Sequence, residues 1–490
     1  PRTPARGSRA AQLLHRVLTC VIDALPRRSV TRTASTLHTA AITMTARGLL
    51  AAVAIAAAAA VAAADIPVYV MLQLDVVNSN NELNDPNGLK SQLQQLASGG
   101  VAGVMGDVWW GLCERSAPQA YNFSAYKELA DMVQGAGMSY HPVMSFHQCG
   151  GNVGDKCNIP LPSWARSTST DGVWYQDAQG NKDYEYISLF ADETAAFGGR
   201  TPIQIYGDYM SAFASAMGAH MGSTIKSVEV SMGPAGEMRY PSYPLSRWSF
   251  CGVGEFQCYG SLALANLAAA ASAAGHPEWG HGGPDNAGSY NSHPGDTGFF
   301  SSGGQDNYMS DYGRFFLGWY SGELLAHGDR VLSAATSALG GGIEVAGKVS
   351  GIHWWYKDPS HAAELTAGYW NTDGHDAYAD ISAMFAKHGA KFDFTCMEME
   401  DNQQPASCAC GPFELVQQAK TAADSAGIAF AGENALPRYD QTAYNTIIQQ
   451  STSGGHDIED FTYLRLGPTL LGGGNWNTFT NFVNAMKGKR

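Results

Sequence analysis

The stretch SMGPAGEMRYPSY, residues 231–243, follows an alternating apolar run and breaks on Gly233, Pro234 and Gly236. It then presents one acid, Glu237, beside Arg239 and two tyrosines. A second acid, Glu433 in GIAFAGENALPRYD, closes another apolar run far along the chain. Two carboxyls that face each other across a gap do a definite kind of chemistry. One gives a proton to a leaving oxygen while the other activates water or attacks directly. Asp107, Asp155 and Asp401 also stand near the ends of apolar runs. Position alone does not rank these acids, and each has a plain alternative as a structural hydrogen-bond acceptor or salt-bridge partner.

Trp109, Trp110, Trp354, Trp355 and Tyr356 fall at the ends of the same kind of run. Sugars offer flat apolar faces that aromatic rings cover, so the cluster points toward a sugar cleft; core packing is the alternative for each ring singly. GGNVGD (150–155) carries Asp155 and three glycines and reads as a moving lid or as a plain tight loop.

These residues need elements to position them. Strand-like runs occupy 67–74, 101–110, 139–147, 225–232, 346–355, 390–398, 427–433 and 460–466. Helical patterns fit 89–97, 124–135, 209–221, 376–388, 413–425 and 475–486. Strands alternating with helices predict parallel βαβ units, and eight strands predict a closed (β/α)8 barrel, an α/β TIM barrel with its site at the carboxyl ends of the strands. The strands read as continuous apolar runs, as expected when both faces are covered. A doubly wound open sheet is the alternative, weakened because no glycine-rich dinucleotide fingerprint follows the first strand. Residues 233–345 form a long insertion between the fourth and fifth strands, with a helical run at 261–274 and a Gly/His/Ser/Asn-rich loop at 280–306. That insertion is expected to wall the cleft.

The chain of 490 residues carries a formal charge of −14. Residues 1–64 hold eight Arg against one Asp, a net +7, which leaves −21 on the remainder. An acidic body repels nucleic acid and anionic membranes and suits a neutral substrate. The basic start and the Ala-rich run before Asp65 predict a cleavable leader over 1–64, transit or signal peptide, addressing a plastid or the secretory pathway, with a single catalytic domain over 65–490. Removal of the leader leaves no apolar run of membrane length. The nine Cys include no pair of CxxC knuckles, so most are expected to be buried or idle thiols. GIEVAGK (342–348) imitates a phosphate loop, but Val349 replaces the required Ser or Thr and the lysine enters a strand. No HExxH is present, and neither a metal nor a cofactor is expected.

With these residues in view, the sequence resembles the β-amylases over about 65–490. The resemblance rests on DVWWG, SFHQCGGNVGD, GPAGEMRYPSYP, KVSGIHWWY, HAAELTAGYWN, FTCMEM and GENALPRYD, in that order. It implies a (β/α)8 barrel that hydrolyses α-1,4-glucan (starch, amylose, maltodextrins) from the non-reducing end and releases maltose with inversion. It implies Glu237 as general acid and Glu433 as general base. Substrate contacts are implied for Asp107, His147, Asp155, Lys348, His353, Thr395, Asn434, Ala435 and Arg465, with 150–155 as the lid. On that reading the acid keeps its proton near neutral pH, with a pKa lifted from about 4.3 toward ~6–7. The base is ionised and stands roughly 6.5–9.5 Å away, leaving room for water. Gln73, Asp75 and Glu400 depart from the family pattern, which motivates an alternative: a catalytically inactive glucan-binding or regulatory homologue.

Overall fold

Eight parallel strands close into a barrel. They are β1 (Val68–Met71), β2 (Gly103–Trp109), β3 (Ser139–Ser145), β4 (Ser227–Val230), β5 (Glu344–Val349), β6 (Lys391–Phe394), β7 (Phe430–Glu433) and β8 (Phe461–Tyr463). Each pairs with its neighbours in sequence, and β8 closes on β1 through Val68 opposite Phe461. Closure leaves no sheet edge unpaired. The computed structural model describes residues 65–152 and 154–488, and the leader expected over 1–64 lies outside the described residues.

All eight strands overlap their expected runs; β5 begins two residues early, at Glu344, and every strand except β7 stops before its run ends. The run 390–398, for instance, is regular only over Lys391–Phe394. The remainder peels away as loop, because the carboxyl ends must open to make a cleft.

A barrel helix follows each strand: α1 (Pro86–Ser98), α2 (Ser124–Gly135), α3 (Pro202–Met217), α4 (Asp311–Leu339), α5 (Ala377–His388), α6 (Pro412–Ala426), α7 (Gln441–Thr452) and α8 (Gly473–Met486), with one more long helix, Ser261–Ala273, in the insertion after β4. Their starts are written in local chemistry. Asp85 accepts from the Gly88 N–H at 2.9 Å ahead of Pro86, and Thr201 and Gln204 form a reciprocal capping box ahead of Pro202. On α1, Leu89, Leu93 and Leu96 share one face and are buried against the barrel, each contributing about 1.5–3 kcal/mol.

Three features differ from the sequence reading. The end of the 233–345 insertion is α4, the fourth barrel helix. Helix α7 escaped the pattern search because its Gln- and Thr-rich face dilutes the apolar period, although Asp440 caps it through the Ala443 N–H at 3.1 Å. An antiparallel hairpin, Trp174–Gln176 with Lys182–Ile187, lies between β3 and α3. No helix among the described residues is long and apolar enough to cross a membrane.

The thiols are also less idle than expected. Cys149 pairs with Cys157, and Cys251 with Cys408, at Cα–Cα distances of 5.7 and 5.8 Å. Only the fold brings the second pair together, since 157 positions separate its members.

At the amino end of the barrel, Lys391 holds Asp460 and Glu344, both at 2.7 Å, and is itself only 4% exposed. Lys391→Ala strands the buried Asp460 carboxylate. The expected loss is about 3–5 kcal/mol of unfolding free energy, measured by urea titration, with the cleft at the other end of the barrel unaffected. A loss below ~1 kcal/mol would mean that water reaches Asp460.

Candidate active site

The carboxyl ends of the strands open into a cavity of about 460 Å3. All eleven residues singled out by the sequence line it: Glu237, Glu433, Asp107, His147, Asp155, Lys348, His353, Thr395, Asn434, Ala435 and Arg465.

Glu237 is delivered by a tight turn after β4. Ala235 takes a left-handed backbone (φ 54°) and donates its N–H to Glu185 Oε1 at 2.7 Å. A Cβ on Gly233 would stand 2.3 Å from the Glu237 carbonyl oxygen, so only glycine lets the chain fold back so closely. The Met238 N–H then donates to the Lys348 carbonyl at 2.8 Å, and Glu237 pairs with Lys348 as a parallel bridge beside β5. Arg239 Nε donates to Glu237 Oε2 at 2.6 Å. The same guanidinium lies 4.1 Å from the Tyr243 ring centroid and donates to Asn152 Oδ1 at 3.3 Å. The acid is therefore tied through Arg239 to the 150–155 loop.

Glu433 ends β7 and is fully buried. Lys348 Nζ stands 2.7 Å from its Oε2, while Oε1 receives no hydrogen bond from any described residue. Burial pushes Glu433 up to about 7; Lys348 opposes the shift and Glu229 reinforces it. Burial pulls Lys348 down, but Glu433, Glu229 and Asp393 outweigh it and hold the ammonium above the usual lysine value. Glu229, Asp393 and Glu433 have the spacing to share a cation, and Lys348, 2.7 Å from Glu433 and 3.7 Å from Glu229, supplies one. The lysine that imitated a phosphate loop thus serves as counter-ion to the base candidate. The upward shift that the sequence reading attached to the acid falls on Glu433, because Glu433 lies at the dry floor of the cleft.

The remaining residues divide by what they bond. Asp107 accepts from Ser145 Oγ at 2.8 Å and is raised by burial. His147 and His353 are lowered to about 3 and about 4 by burial, so both rings are neutral donors or acceptors. His147 Nδ1 lies 3.0 Å from Ser231 Oγ, whereas His353 Nδ1 has no partner among the described residues. Thr395 Oγ1 accepts from the Gly351 N–H at 2.8 Å, and Arg465 Nη1 donates to the Leu72 carbonyl at 2.9 Å.

Asp155 Oδ2 accepts from the Gly150 and Asn152 N–H groups at 3.0 and 3.1 Å, so the loop closes on its own carboxylate. Gly150, Gly151 and Gly154 all have positive φ, and the Cys149–Cys157 disulfide pins the loop's base. The Asn434 side chain bonds the backbone of Leu436 and Leu464, and the Ala435 N–H goes to Glu398 Oε2 at 3.0 Å. The Asn434 side chain and the Ala435 N–H brace the turn after β7.

Other sequence candidates lie elsewhere. Asp401 is outside the cavity lining and pairs with Lys357 at 2.7 Å, the structural alternative open to any strand-end acid. Of the five strand-end aromatics, Trp109 and Trp354 line the cleft, while Trp110, Trp355 and Tyr356 pack behind it. The insertion does wall the cleft, through Tyr243, Trp248 and Phe250. Its 280–306 loop backs that wall from behind, packing Phe299 and Phe300 against Phe256. Gln73, Asp75 and Glu400 are outside the lining; Glu400 accepts from Thr446 Oγ1 at 3.0 Å.

Sequence reading missed Glu229, Asp393, Glu185 and Glu398. The first two carry a legible signal, a lone acid inside a wholly buried strand (SVEV, KFDF). Glu185 and Glu398 sit in segments whose role is visible only once folded.

Residues 69–490 match the model of glycosyl hydrolase family 14. The chain is 49% identical over 430 residues to "Beta-amylase 2, chloroplastic" of Oryza sativa subsp. japonica, covering 86% of this chain and 77% of that one. It is 49% identical over 434 residues to a β-amylase of Glycine max, covering 86% and 87% respectively. The fold superimposes on the catalytic domain of a β-amylase from Paenibacillus polymyxa with a TM-score of 0.72 and 31% identity, covering 87% of this chain and 99% of that one.

Direct titration of the Glu433 carboxyl, by carbon-detected NMR with and without the Glu433→Gln change, is expected to give a midpoint near 7, well above an ordinary glutamate. Lys348→Met removes the ammonium and moves that midpoint upward by about one unit or more. A midpoint at the ordinary value in the unsubstituted protein would show that Glu433 is solvated.

Proposed function

The chain belongs to glycosyl hydrolase family 14, and from that premise we propose that it carries the activity of the β-amylases through an inverting, single-step hydrolysis of α-1,4-glucan from the non-reducing end. The observation that carries the reading is that Glu237 and Glu433 face one cavity from different strand ends, joined through Lys348. Lys348 pairs with Glu237 through its backbone and with Glu433 through its ammonium. No hydrogen bond or ion pair links the two carboxyls among the described residues, and inversion requires that they stand far enough apart to hold a water between the base and the sugar.

In this mechanism Glu237 protonates the glycosidic oxygen. Arg239 bonds Oε2, so the proton sits on Oε1 and the acid is held in one orientation. Glu433 Oε1 accepts a proton from water as that water attacks the anomeric carbon from the opposite face. Lys348, neutral His147 and neutral His353 offer hydrogen bonds to sugar hydroxyls, and Trp354 and Trp109 add apolar surface. The 150–155 loop acts as a lid. Substrate that takes the Asp155 carboxylate away from its own loop frees the backbone N–H groups of Gly150 and Asn152 and lets three positive-φ glycines swing the loop over the cleft. A dry, closed cleft strengthens both proton transfers.

The rice relatives are named chloroplastic, which favours a plastid over the secretory pathway as the address of residues 1–64. Residues 1–64 fused to a fluorescent protein are expected to deliver it to plastids; delivery to the medium would support secretion instead.

Glu237→Gln and Glu433→Gln are each expected to lower maltose release from soluble starch by 10²-fold or more, on the order of one lost acid or base, with the thermal melt unchanged. Proton NMR before mutarotation is expected to show the β-anomer, and an α-anomer would exclude inversion. Because the base works ionised and Glu433 is raised to about 7, kcat/KM is expected to fall as pH drops through that region. An acid limb at the ordinary glutamate value would argue against Glu433 as the base.

A further inference from the structure

The floor of the cleft holds more carboxyls than the reaction uses. Glu229 from β4, Asp393 from β6 and Glu433 from β7 are all buried and bring one oxygen each within 4.8 Å of the others. Both Glu229 oxygens and Asp393 Oδ1 receive no hydrogen bond from any described residue. Asp107 on β2 adds a fourth carboxyl, already served by Ser145. Two cations face this group: Lys348 on β5, and Arg465 beyond β8. Four carboxylates against two cations in a dry lumen is a costly arrangement, and protonation of one carboxyl relieves it.

The distances decide which one. Glu433 has an ammonium at 2.7 Å and Glu229 has the same ammonium at 3.7 Å. Asp393 makes no ion pair among the described residues, although it is the register partner of Lys348 on the neighbouring strand. A carboxylic O–H on Asp393 also provides the donor that Glu229 lacks.

We propose that Asp393 is a positioning residue that stays protonated while the enzyme works and donates a hydrogen bond to Glu229. The proposal rests on Glu433 being the base. Burial, and then the charges of Glu433 and Glu229, drive Asp393 well above the ordinary carboxyl range, in keeping with the geometry. The consequence lies with Glu433. It has one ionised neighbour, Glu229, instead of two, and Glu229 is held by the Asp393 proton as well as by the distant side of Lys348. The full ammonium contact is left to the base.

Three variants test this. Asp393→Asn keeps a neutral hydrogen-bond donor, so the acid limb of kcat/KM against pH is expected to stay within a few tenths of a unit of its original position. Asp393→Leu offers no donor and is expected to lower kcat roughly tenfold with KM little changed, the cost of a lost bond to a charged partner; the asparagine variant restores the rate. Glu229→Gln removes a negative neighbour and moves the acid limb down by about one unit. Infrared spectra at pH 8 are expected to show a carboxylic-acid C=O band that disappears in Asp393→Asn. A limb that drops by about one unit in Asp393→Asn, or a spectrum in which no such band is lost, overturns the proposal, because Asp393 was then already ionised. Should Asp393→Leu fail to fold, the asparagine profile and the spectrum still decide. Should Glu433→Gln stay active, the base assignment fails, and the band measured in that background still reports whether Asp393 holds a proton.

Discussion

The buried ion pair between Lys348 and Glu433 is the constraint on which the site depends. An ammonium 2.7 Å from a fully buried carboxylate is stable in a dry lumen only if both are held rigidly, and a closed barrel does that. Lys348 lies on β5 and Glu433 ends β7, with β6 between them. Any shift of register between these strands would leave a charge buried without its partner. The pair thus makes the barrel's register a functional requirement as well as a packing one. It also sets the electrostatics of the floor, since Lys348 is the near cation for a cluster of three carboxyls.

The proposed acid is built differently. Glu237 is not on a strand; it rides on a turn pinned by the Glu185 carboxylate, by a glycine that no Cβ can replace, and by a backbone bridge to β5. Its side chain is bonded by Arg239, which also reaches Asn152 in the 150–155 loop. Asn152 in turn donates to Glu185 at 2.5 Å. Loop, turn and Glu237 therefore share one hydrogen-bonded network. The proposed base sits in the buried floor, and the proposed acid sits at the rim, bonded into the same network as the loop. That division suits a cleft that must admit a chain end and then exclude water.

The cross-links reinforce the rim. Cys149–Cys157 closes the base of the loop, and Cys251–Cys408 joins the insertion after β4 to the segment after β6. Trp354 and Trp248 both donate to the Gly252 carbonyl, next to that second bridge, at 2.9 and 2.8 Å. The aromatic wall is thereby fixed relative to the strands that carry Lys348 and Thr395.

The sequence by itself determined the strand count, the parallel alternation and a set of strand-end acids, and its resemblance to the β-amylases implied the eleven residues that meet in the cleft. Continuous apolar runs mark strands covered on both faces, and strand-end acids in a barrel have one place to converge. It was silent on α7, whose polar face hides the helical period, and on the Cys251–Cys408 bridge, which needs two distant loops to be neighbours. It also could not separate Asp401, bound to Lys357 outside the cleft, from Asp107, which lies inside it. Only the tertiary structure decided how charge is shared on the floor: that Lys348 answers Glu433, that Glu229 and Asp393 Oδ1 receive no hydrogen bond from any described residue, and that burial raises Glu433, Asp393 and Asp107 together. The reason is physical. Strand and helix follow from local periodicity, which the chain carries in order. The ionisation of a buried group follows from distances of a few ångströms between residues far apart in the chain, and those exist only after the barrel has closed.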